Sequence, residues 1–341
     1  MRPFLPLSSL LCATLIGGCA SVSGFATVGA LTAEDPRFHD VVAADARVER
    51  LAEGFTWAEG PAWIDDGDYL LLTDVPENRI HRWSQADGLS VFMEPSGYEG
   101  PPLDVLREAG ANGLFVEPAG SVLLADSGNR ALARLDLASG RKTVLAHAFE
   151  GRRFNSPNDV VRRSDGAIFF TDPPYGLKGF DESPVKELPF NGVYRLDPDG
   201  SVHLLDDGLT RPNGIALSPD GRTLYVANSD PARAIWMAYG LDAAGAVISR
   251  RVFADVTDLV GDEAPGLPDG MAVAADGTVL ATGPGGVLVF TADGARLGTI
   301  ATGSAVANVT FGDADRRTLY LASDSILARV RLQIAGAATA R

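Results

Sequence analysis

Six stretches of the chain repeat one pattern, in which a polar turn containing Gly or Asp leads into a short apolar run. The turns begin at Asp66, Ala119, Asp165, Asp220, Asp276 and Asp313. Apolar runs of strand length, repeated roughly every 50 residues and each followed by a second run, are typical of four-stranded propeller blades. Beyond the first 20 residues, no long stretch has apolar residues spaced three or four apart, as one face of a helix requires. The sequence therefore predicts an all-β fold, a six-bladed β-propeller with four-stranded blades around a central channel.

A polar residue flanked by Gly or Pro precedes the apolar run in five of the repeats. These residues are Glu59, Asn112, Asn158, Asn213 and Asp269. Each of these residues alone is a good turn residue. Because they recur at the same position of successive repeats, we expect several blades to direct oxygen atoms to one rim of the channel. We expect the apolar runs themselves, such as 69–73 and 167–171, to form the strands nearest the axis.

The N-terminal segment has the composition of an export signal. Arg2 is followed by an apolar run that is too short and too Pro-interrupted to span a membrane. The run ends at Ile16-Gly17-Gly18-Cys19, which resembles a bacterial lipobox, and cleavage near Ala20 or Ala26 is the alternative. We expect residues 1–19 to be a signal peptide, 20–40 a tether, 41–334 the propeller and 335–341 a tail. An exported, periplasmic protein anchored by lipid at Cys19 is predicted.

Composition excludes several classes of function. A formal net charge of −15 argues against a nucleic-acid partner, since phosphate requires a basic surface. The two cysteines are Cys12 and Cys19, which leaves the mature domain without a disulfide or a cysteine-bound zinc. Motifs such as GxSxG, HExxH and the P-loop are absent from the sequence. We expect a monomer that contacts a membrane only through its anchor.

The recurring polar residues predict a cation site. Glu59, Asn158, Asn213 and Asp269 offer two carboxylates and two amide oxygens. Hard oxygen ligands of this kind suit calcium first and also magnesium or manganese. Zinc remains an alternative, although it prefers His and Cys and no histidine lies in a rim motif. One divalent cation, with Ca²⁺ preferred, is the expected cofactor.

Several longer motifs are similar to those of a known family. They are GFTWAEGPAW, RFNSPNDVV, FFTDPPYGL, RPNGIALSPDGRTLYVANS and PDGMAVAADG. With these motifs the chain resembles the gluconolactonase/regucalcin-type lactonases, in particular the bacterial gluconolactonase branch, which are related to the squid-type diisopropyl fluorophosphatase. The resemblance covers most of the chain after Val41 and implies a six-bladed propeller with one divalent ion in its channel.

The resemblance also implies a reaction and roles for particular residues. A metal-dependent hydrolase would open a sugar lactone by attack of water, with the ion held by Glu59, Asn158, Asn213 and Asp269. We assign Asp269 as the base that activates the water. Candidates for binding substrate hydroxyls are Asn112, Ser127, Asn158 and Asp172. For Asp172, in the TDPPYG turn, a purely structural role is an equal alternative.

At two places the sequence departs from the bacterial family that it resembles, and both affect the expected substrate rather than the expected fold. Ser127 stands where bacterial relatives often carry a histidine, so any contact of that side chain to substrate is altered. The segment 98–110 reads as an insertion near the rim that shapes the pocket, with one or two helical turns in 103–109. The sequence leaves open a phosphotriesterase or aryl-esterase activity in the same site, and a non-catalytic propeller that binds carbohydrate or scaffolds an envelope complex.

Overall fold

Short strands joined by Gly- and Asp-containing turns pair with their sequence neighbours, and this produces a ring of small antiparallel sheets. The computed structural model describes residues 24–101, 103–118 and 120–337. Six sheets surround a central channel and form a six-bladed β-propeller, as predicted. The predicted signal peptide, including Cys19, lies outside the described residues.

The blades follow the chain in order, and each runs from its innermost strand outward. Blade 1 comprises Ala58–Ile64, Tyr69–Asp74, Arg79–Ser84 and Gly88–Met93. Blade 2 comprises Leu114–Glu117, Ser121–Asp126, Ala131–Asp136 and Lys142–Ala146. Blade 3 comprises Val160–Arg162, Ile168–Asp172, Gly192–Leu196 and Val202–Asp206. Blade 4 comprises Pro212–Leu217, Thr223–Asp230, Arg233–Leu241 and Val247–Asp255. Blade 5 comprises Met271–Val273, Val279–Gly283, Gly286–Phe290 and Arg296–Ala301. Blade 6 comprises Asn308–Gly312, Thr318–Ser323, Ile326–Arg331 and, from the N-terminal part, Val48–Glu53.

The ring is closed by residues from the beginning of the chain. Val48–Glu53 pairs with Ile326–Arg331 and completes blade 6. Ala26–Val28 and Ala30–Ala33 then add a fifth strand to blades 6 and 5, respectively. Since no blade is left incomplete, the closure protects strand edges that would otherwise be exposed.

This arrangement corrects the predicted boundaries at both ends. Within the tether predicted over 20–40, residues 26–33 form the two added strands, because their backbone groups find partners on the outer edges of blades 5 and 6. At the other end, Gly336 bridges to Ala274, and the amide of Ala337 donates to the carbonyl of Val273 at 3.1 Å. Residues 335–337 of the predicted tail therefore extend blade 5.

The prediction about the innermost strands is wrong by one strand. The first strands of neighbouring blades contact one another around the channel. The apolar runs, such as Ile168–Asp172, are the second strands, and they are buried on both faces between blades. Several innermost strands have only three or four residues, for example Val160–Arg162 and Met271–Val273, so they give a weaker sequence signal than the longer second strands.

Helical structure is minor in the described residues. It consists of one α-helix, Phe38–Val41, and the 3-10 turns Asp65–Gly67, Phe180–Glu182 and Thr257–Leu259. A two-stranded hairpin, Ala148–Phe149 with Arg152–Arg153, lies on the loop between blades 2 and 3. No helix forms in 103–109, contrary to the expected helical turns. In the part of the chain described, no helix has the length and apolar character that crossing a membrane requires.

The core lies between neighbouring blades rather than at the axis. Where blades 6 and 1 meet, Trp63 stacks on Tyr320 with ring centroids 5.3 Å apart, and Trp83 packs against the same tyrosine at 5.9 Å. Comparable buried clusters fill the other interfaces between blades. Burial of this kind fixes the blades and leaves the channel free to hold polar groups.

Candidate functional site

Equivalent residues of the six blades form a first layer around the channel, which we call the upper ring. The amides of Asn112, Asn158, Asp269 and Ala307 each donate to a carbonyl of the second strand of their own blade, and this places them at the same height. Glu59 pairs with Thr73 at the corresponding position of blade 1. The upper ring consists of Glu59, Asn112, Asn158, Asn213, Asp269 and Ala307.

The next residue of each blade forms a second layer, the lower ring. It consists of Gly60, Gly113, Asp159, Gly214, Gly270 and Asn308. Glycine is required where blades approach closely, because a Cβ on Gly60 would lie 2.2 Å from the carbonyl oxygen of Asn112. The side chains of Asp159 and Asn308 occupy the space left by glycines on neighbouring blades, since a Cβ on Gly270 would lie 2.0 Å from the amide carbon of Asn308.

A cavity of about 680 Å³ opens above the upper ring. The structure brings together five of the predicted site residues in its wall, namely Glu59, Asn112, Asn158, Asn213 and Asp269. The wall also contains Trp57, Tyr175 and Val306, together with Arg107 and Glu108 from the segment 98–110. The prediction that this segment shapes the pocket is therefore confirmed.

Two oxygen atoms at the cavity are buried without a hydrogen-bond partner. They are Oδ1 of Asn213 and Oδ1 of Asp269. The amide nitrogen of Asn213 donates to the Ser229 hydroxyl at 3.0 Å, which fixes the amide with its oxygen free. Buried polar atoms are normally satisfied, so these two free oxygens mark a position built to receive a ligand.

The electrostatics of the cavity favour a positive ligand. Burial is the main cause that raises the pKa of Glu59 to about 8, and repulsion from Asp159 and Glu108 raises it further. The pKa of Asp269 is also raised well above its ordinary value, first by burial and then by repulsion from Glu59. Two buried carboxyl groups that repel each other are stabilised when a cation lies between them.

The donor set fits a divalent cation that prefers oxygen. In the described residues no group of three or more His, Cys, Asp or Glu side chains is placed to hold a metal ion. An ion at the cavity would therefore depend on amide oxygens as well as on the two carboxylates. Asn158 and Asn213 supply such oxygens beside Glu59 and Asp269, a combination typical of calcium rather than of zinc.

The lower ring contains two polar residues, Asp159 and Asn308, that the sequence analysis missed. Both carboxylate oxygens of Asp159 accept backbone amides, from Val160 at 2.9 Å and from Ile215 of the next blade at 3.1 Å. The side chain of Asn308 hydrogen-bonds to both Asp159 and Glu59. Burial nevertheless raises the pKa of Asp159 to about 7. Asn308 thereby links the lower ring to a carboxylate of the upper ring.

Ser127 is not in the cavity wall, and the structure gives it a different role from the predicted substrate contact. Its buried hydroxyl donates to the carbonyl of Pro157, the residue before Asn158, at 2.6 Å. Ser229 repeats this bond two blades later, because its hydroxyl donates to the carbonyl of Pro268, which precedes Asp269. These serines position the turns that present the upper ring, and their shared place close to the end of the second strand was the available signal.

Asp172 is also placed away from the cavity, so the structure does not support its assignment to substrate binding. Its Oδ2 accepts the backbone amide of Asn155 at 2.7 Å, and the side chain of Asn155 returns a bond to the carbonyl of Asp172 at 3.0 Å. Burial raises the pKa of this carboxyl to about 7. The pair holds the turn that leads to Asn158.

Comparison with known proteins agrees with this geometry. Residues 57–325 match the family described as the SMP-30/Gluconolactonase/LRE-like region. A gluconolactonase of Zymomonas mobilis is 38% identical over 340 residues, which cover 97% of this chain and 95% of that protein.

Solved structures show the same relationship. A gluconolactonase structure from Xanthomonas campestris is 31% identical and superposes with a TM-score of 0.77 over 91% of this chain and 98% of that one. A regucalcin from Agrobacterium tumefaciens, described as a calcium-binding protein, shares the fold at 21% identity, with a TM-score of 0.65 over 84% of this chain and 94% of that one. The family resemblance found in the motifs is confirmed, and the chain belongs to the SMP-30/gluconolactonase/LRE-like family.

Proposed function

We propose that this protein is a lactonase that opens a sugar lactone with water and depends on one divalent cation, preferably Ca²⁺, in the cavity. Membership of the family and similarity to the gluconolactonases of Zymomonas and Xanthomonas support hydrolysis of lactones. The observation that carries the cation is the pair of buried, unpartnered oxygens on Asn213 and Asp269. The calcium-binding regucalcin of the same fold adds support.

Glu59, Asn158, Asn213 and Asp269 would hold the cation. When bound, the cation would polarise the lactone carbonyl and stabilise the negative charge that develops on its oxygen. Asn158 and Asn213 would contribute neutral ligands, so that two carboxylates balance one divalent charge. Glu59, which accepts the amide of Gly60 at 3.0 Å and is held by Asn308, is suited to a fixed role as ligand.

Asp269 is assigned as the base that takes a proton from the attacking water. A carboxylate that contacts the cation through one oxygen keeps its second oxygen for a neighbouring water, and this places Asp269 beside the water that attacks. Asn112, which lies in the same wall, would hydrogen-bond a hydroxyl of the lactone ring. The proton returns to the ring oxygen that leaves, so hydrolysis yields the open-chain hydroxy acid.

A pH-stat assay of the purified protein tests the proposal. With glucono-δ-lactone we expect turnover that a strong chelator abolishes and that added Ca²⁺ restores. Because a bound ion stabilises the folded state, the chelator should also lower the melting temperature. Turnover and melting that are both insensitive to chelators would contradict cation dependence. Aryl-ester and fluorophosphate substrates in parallel assays would reveal the esterase and phosphotriesterase alternatives.

We further propose that the protein is exported and attached to the cell envelope through Cys19, and that it works as a monomer. The signal-like segment with Ile16-Gly17-Gly18-Cys19 supports the first part. Membrane fractionation of cells that produce the wild type and Cys19→Ser measures the anchor. We expect the wild type in the membrane fraction and the variant in soluble fractions, and an identical distribution of the two would exclude lipidation at this cysteine.

A further inference from the structure

Glu108 is a buried acidic side chain in the cavity wall that the proposed reaction does not use. It lines the same cavity as Glu59 and Asp269 and is only 7% exposed. Among the described residues, its side-chain partner is Arg107, whose Nη1 donates to Oε1 of Glu108. Burial raises the pKa of Glu108 to about 7, and only Arg107 lowers it. Such a group is costly to bury unless it contributes to binding or catalysis.

The backbone that carries Glu108 is fixed at both ends. On one side, the amide of Arg107 donates to the carbonyl of Gly176 at 2.8 Å, and the amide of Lys178 donates to the carbonyl of Val105 at 2.9 Å. On the other side, the amide of Gly110 donates to the carbonyl of Val75 at 3.0 Å. The segment 103–110 therefore forms a strap between loops of blades 1 and 3 over the cavity.

Arg107 is anchored independently of Glu108. Its Nη1 also donates to the carbonyl of Tyr175 at 3.2 Å, and its guanidinium lies 5.4 Å from the ring centroid of Phe180. An arginine held by these contacts fixes one carboxylate oxygen of Glu108. The other oxygen, Oε2, has no hydrogen bond in the described structure and remains available to the cavity.

A carboxylate placed in this way selects for hydroxyl groups. It offers acceptor positions to O–H donors and gains nothing from an apolar ring. A site built to bind hydroxyls rejects analogues that lack them, because its own buried polar group is then left without a partner. The carboxylate of Glu108 also disfavours a negatively charged substrate, because like charges repel each other.

We propose that Glu108, positioned by Arg107, determines specificity by accepting hydrogen bonds from ring hydroxyls, so that the cavity selects neutral, polyhydroxylated lactones over unsubstituted ones. The proposal rests on the proposed lactonase function and assigns the recognition of hydroxyls to the strap. Glu108 lies on the strap and does not belong to the upper ring that would hold the cation, so its loss should alter binding of the substrate more than turnover.

The test compares Glu108→Gln with the wild type on two lactones. For glucono-δ-lactone we expect KM to rise about tenfold, as loss of a hydrogen bond to a charged group requires, with kcat changed less than about threefold. For δ-valerolactone, which has the ring but no hydroxyls, kcat/KM should stay within about twofold. Asp104→Asn, which removes the same charge from an exposed residue of the strap, is the matched control and should change neither substrate. Equal effects of Glu108→Gln on both lactones, or no effect on either, would overturn the proposal.

Calorimetry with a ligand that cannot be hydrolysed separates this proposal from the lactonase function. The wild type should bind 1,5-anhydroglucitol, a hydroxylated ring ether, and should not bind tetrahydropyran. Glu108→Gln should weaken binding of the hydroxylated ether about tenfold. Binding of both ethers alike by the wild type would refute the role of Glu108 even if Glu108→Gln failed to fold. Selective binding of the hydroxylated ether without any hydrolysis of lactones would refute the proposed function alone.

Discussion

The two rings of the channel lie one residue apart and both contain a buried carboxylate, yet they are built for different tasks. In the lower ring, Asp159 has both oxygens bonded to backbone amides. In the upper ring, Asp269 keeps Oδ1 without a partner, and so does Asn213. In the lower ring, the carboxylate oxygens are hydrogen-bonded to the backbone of two blades and so join them. In the upper ring, two oxygen atoms have no hydrogen-bond partner and are available to a ligand.

The difference explains where the sequence tolerates only glycine. Four of the six lower-ring residues are glycine, and a Cβ on Gly214 would lie 2.1 Å from the carbonyl oxygen of Asp269. Close approach of the blades at this level supports the upper ring from below. The upper ring can then hold oxygen atoms in fixed positions without hydrogen bonds of their own, which is the pre-organisation that a metal or transition state requires.

The largest effect on function is expected from Asp269→Asn. The substitution keeps an oxygen at the position but removes the base, so lactone hydrolysis should fall about 1,000-fold while the fold is retained. Initial rates by pH-stat, with circular dichroism as the check on folding, give the measurement. Asp262→Asn changes the same charge at an exposed residue of the cavity wall and should remain active. Unchanged turnover by Asp269→Asn would remove it as the base.

A substitution in the lower ring should lower the stability of the protein rather than act on the reaction directly. Asp159→Ala leaves the amides of Val160 and Ile215 without their acceptor, so the free energy of unfolding should fall by about 2 kcal/mol. Denaturant unfolding measures the loss, and Asp207→Ala, at an exposed position, is the control for removal of a carboxylate. If Asp159→Ala left stability unchanged and abolished turnover, the separation of the rings would be wrong.

A smaller effect should distinguish the two serines that support the upper ring. Ser229 holds both Asn213 and the carbonyl of Pro268, whereas Ser127 holds only the carbonyl of Pro157. Removal of a group that orients a ligand typically weakens metal binding by 10-fold or more. We expect Ser229→Ala to weaken Ca²⁺ binding about tenfold and Ser127→Ala to weaken it less. Titration calorimetry of the ion-free variants tests this order, and the reverse order would contradict it.

The sequence predicted the fold and most of the upper ring because both repeat. Six copies of one turn and strand predict the blades. Five polar residues at the same position of successive repeats predict the rim. Asp159 could also have been found, because it stands after Asn158 where the motifs RPNGI and LPDGM have glycine. Ser127 and Asp172 were assigned to substrate from the family resemblance, but hydrogen bonds to neighbouring turns decide their roles. Glu108 lies in an insertion that no other blade repeats, so no periodic signal marks it.

The proposed cation site requires that four upper-ring side chains from four blades converge on one ion. A crystal structure of the protein grown with Ca²⁺ tests it most directly, with anomalous scattering to identify the ion. We predict one ion at about 2.3–2.6 Å from oxygens of Glu59, Asn158, Asn213 and Asp269, with Asp159 still bonded to its backbone amides. An upper ring without an ion at saturating Ca²⁺, or an ion bound by Asp159 instead, would show that these four side chains do not form the cation site.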